Sequence, residues 1–298
     1  MHSAGKTISD TFRKVQDRIS GFLSAEDRGR PYREDVWDYH QGSGGGITRI
    51  WEEGPLLEKG GVGFSAIQGK SLPKAASTQL KIAPGTPFFA CGVSLVLHPR
   101  NPHVPTVHMN VRYFEAGSTW WFGGGIDVTP YYPEVSQVAG FHRALRALCR
   151  EHGRDYGTYK RACDEYFFLK HRGEPRGVGG IFFDHAQTGQ TEDLNFAEAL
   201  GLAFPSLYAP FLSNRDKPWS EEQRQFQLYR RSRYVEFNLL QDRGTLFGLQ
   251  SNGRTESILM SMPPLARWIY DWQPIPGSDE EKLTEFFLKP RDWADMDG

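Results

Sequence analysis

This chain has few of the groups that could staple a fold from outside its core. Its three cysteines, Cys91, Cys149 and Cys163, are too scattered for a disulfide framework or a zinc knuckle. An odd number of thiols suits a reducing compartment. A one-sided charge is also missing. Thirty-five basic and 36 acidic residues leave a net charge of −1, which argues against a broad electrostatic grip on nucleic acid or anionic lipid. The longest strongly apolar run, Phe88–Leu97, covers ten residues, about half of the roughly 20 needed to cross a bilayer. The N-terminal segment mixes Lys6, Arg13, Lys14 and Arg18 with Asp10 and Asp17 and has no apolar core with a cleavage site, so it makes a poor presequence. The expectation is a cytoplasmic protein with no membrane insertion and no nucleic-acid partner. Nucleotide motifs fail too: no glycine-rich loop ends in Lys-Ser/Thr, and Gly61-Val-Gly63 lacks the third glycine of a dinucleotide fingerprint.

Arginine and aromatic residues are plentiful instead. Of the 35 basic residues 24 are Arg, and aromatics make up 13% of the chain. Planar guanidiniums beside aromatic rings suit a protein that holds carboxylates or phosphates, although a lineage bias toward Arg gives the same composition. The 298 residues are read as a single domain, 1–298. Ile8, Phe12, Val15, Ile19 and Phe22 recur at helical spacing. Strands are expected at Ile47–Trp51, Gly61–Gln68, Phe88–His98, Thr106–Glu115, Trp120–Val128 and Gly177–Asp184. Helices are expected at Gln137–His152, Tyr159–Lys170 and Leu194–Phe204, after the capping box at Ser220, and after Ser278. Tyr234–Leu240, Thr245–Gln250 and Glu256–Met262 read as three further strands, with hairpin turns at Asp242-Arg243-Gly244 and Asn252-Gly253. Arg230-Arg231-Ser232-Arg233 reads as a solvated basic face. The expected class is α+β: a large, mainly antiparallel sheet with helices packed on it.

The segment 94–112 carries the most chemistry. On a strand, alternate residues share a face, so His108, Asn110 and Arg112 point one way, as do Ser94 and His98. If the two strands are neighbours, these groups converge into a patch able to anchor a carboxylate and move a proton. The same alternation also suits a solvated sheet face. His98, His103 and His108 lie five apart across a proline-rich loop, which matches no compact metal-ligand motif. Gly123-Gly124-Gly125 before Asp127 would let a ligand approach the backbone.

Several segments then resemble a known family. Gly92-Val-Ser-Leu-Val-Leu-His-Pro-Arg-Asn-Pro, Pro-Thr-Val-His108-Met-Asn-Val-Arg112-Tyr-Phe-Glu and Trp-Trp-Phe-Gly-Gly-Gly-Ile-Asp127-Val-Thr-Pro-Tyr are similar to the oxygen-dependent coproporphyrinogen III oxidases. So are Gly-Gly-Ile-Phe-Phe-Asp184, Arg-Tyr-Val-Glu-Phe-Asn-Leu-Leu and Gly-Arg254-Thr-Glu-Ser-Ile-Leu-Met-Ser-Met-Pro-Pro. The likeness runs in order from about residue 8 to residue 293. It implies a sheet of about seven antiparallel strands flanked by helices on both faces, working as a homodimer through a stretch near Tyr234–Leu249. It implies a haem-pathway enzyme that converts the ring A and ring B propionates of coproporphyrinogen III to vinyl groups, giving protoporphyrinogen IX. Molecular oxygen is the oxidant, no organic cofactor takes part, and carbon dioxide and hydrogen peroxide leave. The family's substrate positions fall on Ser94, Asn110, Val111, Arg112, Asn252, Gly253 and Arg254, and its proton donor on His108. Its acidic position falls on Asp127, which could accept hydrogen bonds from pyrrole N–H groups. A divalent metal is sometimes assigned to positions matching His98, His108, His142 and His171, while some members are described as metal-free. Gly63, His185 and Asn252 depart from the family pattern. A histidine-ligated metal oxygenase and a tetrapyrrole carrier are the rival readings.

Overall fold

The computed structural model describes residues 3–72, 82–250 and 253–296. Alternating apolar residues, short turns and a run of small residues build one seven-stranded antiparallel sheet. Its strands, in spatial order, are β1 (Arg33–Asp38), β2 (Gly42–Glu52), β3 (Leu57–Gly69), β4 (Phe88–Pro99), β5 (Thr106–Ala116), β6 (Thr119–Thr129) and β9 (Gly179–Ala186). Between β6 and β9 the chain inserts helices α2 (Val135–Glu151) and α3 (Tyr156–Tyr166) and a small ribbon, β7 (Phe168–Leu169) with β8 (Glu174–Pro175). The α+β class and the seven antiparallel strands agree with expectation.

The period of two gives the sheet two unlike faces. On one, Phe89, Cys91, Val93, Leu95 and Leu97 of β4 and Val107, Met109, Val111 and Tyr113 of β5 are buried. Helix α1 (Ser3–Glu26) lays its stripe of Ile8, Phe12, Val15, Ile19 and Leu23 on this face, beside Phe196, Leu200 and Phe204 of α4 (Gln190–Tyr208). Each such side chain contributes about 1.5–3 kcal/mol on burial. The two helices approach closely because Gly201 has no side chain; a Cβ there would lie 2.5 Å from Val15 Cγ1.

The other face bears Ser94, His98, His108, Asn110 and Arg112. It is covered at one side by α5 (Glu221–Leu240), and α3 runs along the β9 edge with Tyr166 stacked on Phe182 at 4.4 Å. Ions dock α5 on the sheet. Glu58 of β3 accepts from Arg224 at 2.5 Å and from Arg231 at 2.6 Å, and Arg231 also reaches the Pro99 carbonyl.

Three expected strands are helical. Tyr234–Leu240 is the last part of α5, Thr245–Gln250 lies in α6 (Arg243–Gln250), and Glu256–Met262 begins in α7 (Thr255–Leu259). The residues Tyr-Val-Glu-Phe favour strands locally. However, the box at Ser220 starts a helix that meets no glycine or proline before Leu240, and tertiary packing decides. Asp242 is a helix cap, not a hairpin turn: its Oδ2 accepts from the Thr245 N–H at 2.8 Å. The basic run is not solvated either. Arg230, Arg231 and Arg233 are 3%, 0% and 7% exposed, because Glu174 and Glu58 wait for them inside. Strand β1 has no counterpart among the expected elements. Gly42 and Gly44–Gly46 lie within β2. Helix α3 begins three residues and ends four residues before the expected bounds, capped by Asp155.

Burial pushes the Glu58 carboxyl up, but the Arg231 charge and its hydrogen bonds outweigh this and hold it below 4.5. A depressed carboxylate stabilises the fold above the unfolded-state value and loses that contribution as pH falls through the folded one. Glu58→Ala strands two arginines and is expected to cost about 3–5 kcal/mol in urea unfolding at neutral pH. The gap to wild type narrows as pH falls below about 4.5; a gap that does not change with pH contradicts the assignment.

Candidate active site

Antiparallel register aligns the polar face into cross-strand rows. One row runs Trp37, Gly46, Ser65, Gly92, Arg112, Gly123 from β1 to β6. The next runs Asp35, Thr48, Gly63, Ser94, Asn110, Gly125. On β2, β3 and β4 neither row carries anything larger than threonine. The result is a floor of small residues, half-buried on β3 and β4 and buried on β2, with larger groups at its two ends. At roughly 4.8 Å per strand, β1 and β5 stand about 19 Å apart.

The polar end of the floor is built on β5 and β6. His108 and Asp127 are cross-strand partners, and His108 Nδ1 lies 2.8 Å from Asp127 Oδ1. Beneath them Arg176 donates to both Asp127 oxygens at 2.8 Å. Asp127 and Arg176 are each 2% exposed. The guanidinium is packed against the rings of Phe167, Tyr234 and Phe237 at 4.1–4.7 Å and is tied to Asn238 Oδ1 at 3.0 Å. Burial pushes the Asp127 carboxyl up; the Arg176 charge and the His108 contact outweigh it and keep it below the usual carboxylate range. A carboxylate at Nδ1 assigns the N–H to that nitrogen and leaves Nε2 as the acceptor. Asn110 Nδ2 donates to it from 3.2 Å. His108 Nε2, bonded to Asn110, therefore lies on the floor side of the ring. Asp127 does not: it sits behind His108 with both oxygens engaged, so the expected contact with pyrrole N–H groups is not available to it. It orients the imidazole.

Arg112 leans across Gly123 and binds Asp184 Oδ1 at 2.9 Å. Arg243 meets the other oxygen of Asp184 at 3.2 Å. Arg112 Nε, Asn110 Oδ1 and Trp121 Nε1 have no hydrogen-bond partner among the described residues. All three atoms are buried, so this end of the floor holds polar groups without partners inside the protein. Arg254 stands at the far end. It binds Asp35 of β1, and its Nη1 donates to Ser257 Oγ at 3.0 Å.

Ser94, His108, Asn110 and Arg112 do come together, as the alternation predicts. Gly253 and Arg254 lie at the start of α7, across the floor. Asn252 lies outside the described residues. Val111 is a correction: its side chain is fully buried on the opposite face, so only its backbone could serve the site. The four histidines do not converge. His98 spends Nδ1 on Thr106 and Nε2 on the Ser261 carbonyl. His142 is held by Tyr156 and the Val178 carbonyl, and burial drives its pKa down to about 3. His171 is held by Glu236 and Gln241. Among the described residues no three His, Cys, Asp or Glu side chains are grouped to hold an ion, so these residues do not fit a shared metal site. Sequence reasoning missed Arg176, Asp184 and Arg243. Each acts through a partner distant in the chain, and no local spacing announces it.

Comparison with known proteins agrees with this geometry. The chain is 52% identical over 311 aligned residues to an oxygen-dependent coproporphyrinogen-III oxidase of Dictyostelium discoideum, covering 96% of this chain and 93% of that protein. Residues 7–293 match the sequence profile of coproporphyrinogen III oxidase. These two matches, each spanning nearly the whole length, show that the chain belongs to the coproporphyrinogen III oxidase family.

Proposed function

We propose that this protein converts coproporphyrinogen III to protoporphyrinogen IX by two oxygen-dependent oxidative decarboxylations, at the ring A and ring B propionates. The observation that carries this reading is the floor between Arg254 and Arg112, with His108 Nε2 facing it. A flexible macrocycle with four carboxylates needs a flat surface without bulky side chains and a few placed guanidiniums. Ser94, Asn110 and Arg112 hold one edge of it. A propionate on Arg112 displaces Asp184 or shares the guanidinium with it.

Each step removes carbon dioxide, two electrons and one proton from a propionate arm as it becomes a vinyl group. Oxygen takes the two electrons, that proton and a second proton from solvent, and leaves as hydrogen peroxide. The pyrrole supplies the reducing power: loss of its N–H proton makes the ring rich enough in electrons to react with oxygen. His108 Nε2 takes and returns that proton, and the Asp127–Arg176 pair holds the imidazole in the tautomer that can. The reading involves no organic cofactor and no metal. Two copies pair through the end of α5 and its continuation, where Leu239 and Leu240 are 43% and 62% exposed, more apolar surface than an isolated helix end favours.

Purified protein given coproporphyrinogen III is expected to form protoporphyrinogen IX in air and none without oxygen, read as porphyrin fluorescence after oxidation. His108→Ala should lower kcat by about 10²–10⁴-fold. Asp127→Asn should lower it comparably, and wild-type turnover in either variant removes that residue from the mechanism. Exhaustive chelation, checked by elemental analysis, should leave activity unchanged; loss restored by one stoichiometric metal would favour a metal oxygenase. Leu240→Asp should shift the sedimenting species from dimer to monomer, whereas a monomeric wild type refutes the pairing.

A further inference from the structure

Trp37 closes the row that Arg112 belongs to, yet nothing in the proton chemistry uses it. Its indole lies flat on Gly46, where a Cβ would sit 2.2 Å from Trp37 Cζ2. Its Nε1–H reaches Thr48 Oγ1 at 3.3 Å. That hydroxyl is 2.9 Å from Ser257 Oγ, which accepts from Arg254. The ring is thus pinned at its polar edge and supported from below by backbone. Strand β1 is the edge of the sheet, so no further strand lies beyond the indole. Next along the floor come Ser65 and Gly92, with Gly63 and Ser94 beside them, all half-buried. From Gly46 to Arg112 is three strand spacings, about 14 Å. A glycine that seats a tryptophan at the end of this row is a costly arrangement for a mere hairpin.

We propose that Trp37 is a specificity-determining substrate contact. Its indole packs against the pyrrole at the far end of the floor and contributes binding to that end of the macrocycle. The proposal rests on the macrocycle reading of the floor. The carboxylate at that end meets Arg254, one residue-row away.

The test compares Trp37→Ala, Trp37→Phe and Trp37→Leu by steady-state kinetics and thermal melts. Trp37→Ala is expected to raise KM for coproporphyrinogen III roughly tenfold with little change in kcat and none in KM for oxygen. Trp37→Phe, which lacks the Nε1–H but keeps a flat face, is expected to restore most of it, and Trp37→Leu much less. A wild-type KM in Trp37→Ala overturns the proposal, as does a loss that Phe does not restore. If Trp37→Ala does not fold, equal KM values in Trp37→Leu and Trp37→Phe overturn it. A wild type without oxygen-dependent turnover would instead refute the function itself, so the two failures are distinct.

Discussion

The ion pair between Asp127 and Arg176 is the constraint on which the site depends. Two opposite charges sit almost out of reach of water, and each is tolerable only because of the other. Arg176 is in turn fixed by three aromatic rings and by Asn238. Two of those rings and Asn238 belong to α5. The orientation of His108 is thereby coupled to the docking of α5 on the sheet, which itself rests on Glu58 and its two arginines. A change in how α5 seats would be felt at the imidazole without touching it. This explains why the helix is held by ionic contacts of fixed geometry and not by apolar contact alone: guanidinium–carboxylate pairs specify a position as well as a distance.

The sheet supplies what a loop-built pocket could not. Three neighbouring strands, β2, β3 and β4, form the base of the floor, and the register brings Gly46, Ser65 and Gly92 into one line and Thr48, Gly63 and Ser94 into the next. Such residues weaken a strand by entropy and lost packing. The opposite face compensates, because on β4 and β5 every second residue there is a large buried one. Gly63 fits this plan: a Cβ at 63 would lie 2.9 Å from Met260 Cε, so the methionine already fills that space.

Much of this plan was legible before any coordinates. Alternation placed Ser94, Asn110 and Arg112 on one face because a strand has no other choice, and α1 declared itself by its period. The C-terminal third did not. Tyr234–Leu240 has strand-like residues in a helix, since packing of Arg231 and Tyr234 against β3 and β4 outweighs local preference. Strand β1 was hidden because an edge strand with one exposed face has no strong apolar pattern. Arg176 was hidden for a different reason. Its sequence neighbours, Pro175 and Gly177, suggest only a turn, and its importance arises from an aspartate 49 residues earlier.

The surplus of arginine also acquires a physical meaning. Arg176, Arg230, Arg231 and Arg233 are at most 7% exposed, and each is spent on a carboxylate inside the protein. Lysine could not replace them, for it lacks the planar fork that meets two oxygens or stacks on rings. Paired charges of this kind keep the net charge near zero while filling the interior with cations. The arginines able to meet a ligand are those left partly open. Arg112, Arg243 and Arg254 keep 33%, 50% and 30% of their side-chain surface exposed, although each is already bonded to Asp184 or Asp35. In the proposed reading, an anionic substrate meets guanidiniums whose positions are set in advance by internal carboxylates. It gains affinity only to the extent that its own carboxylates bind better than the ones they displace or join, which favours a ligand carrying several carboxylates at the right separation over one carrying a single charge.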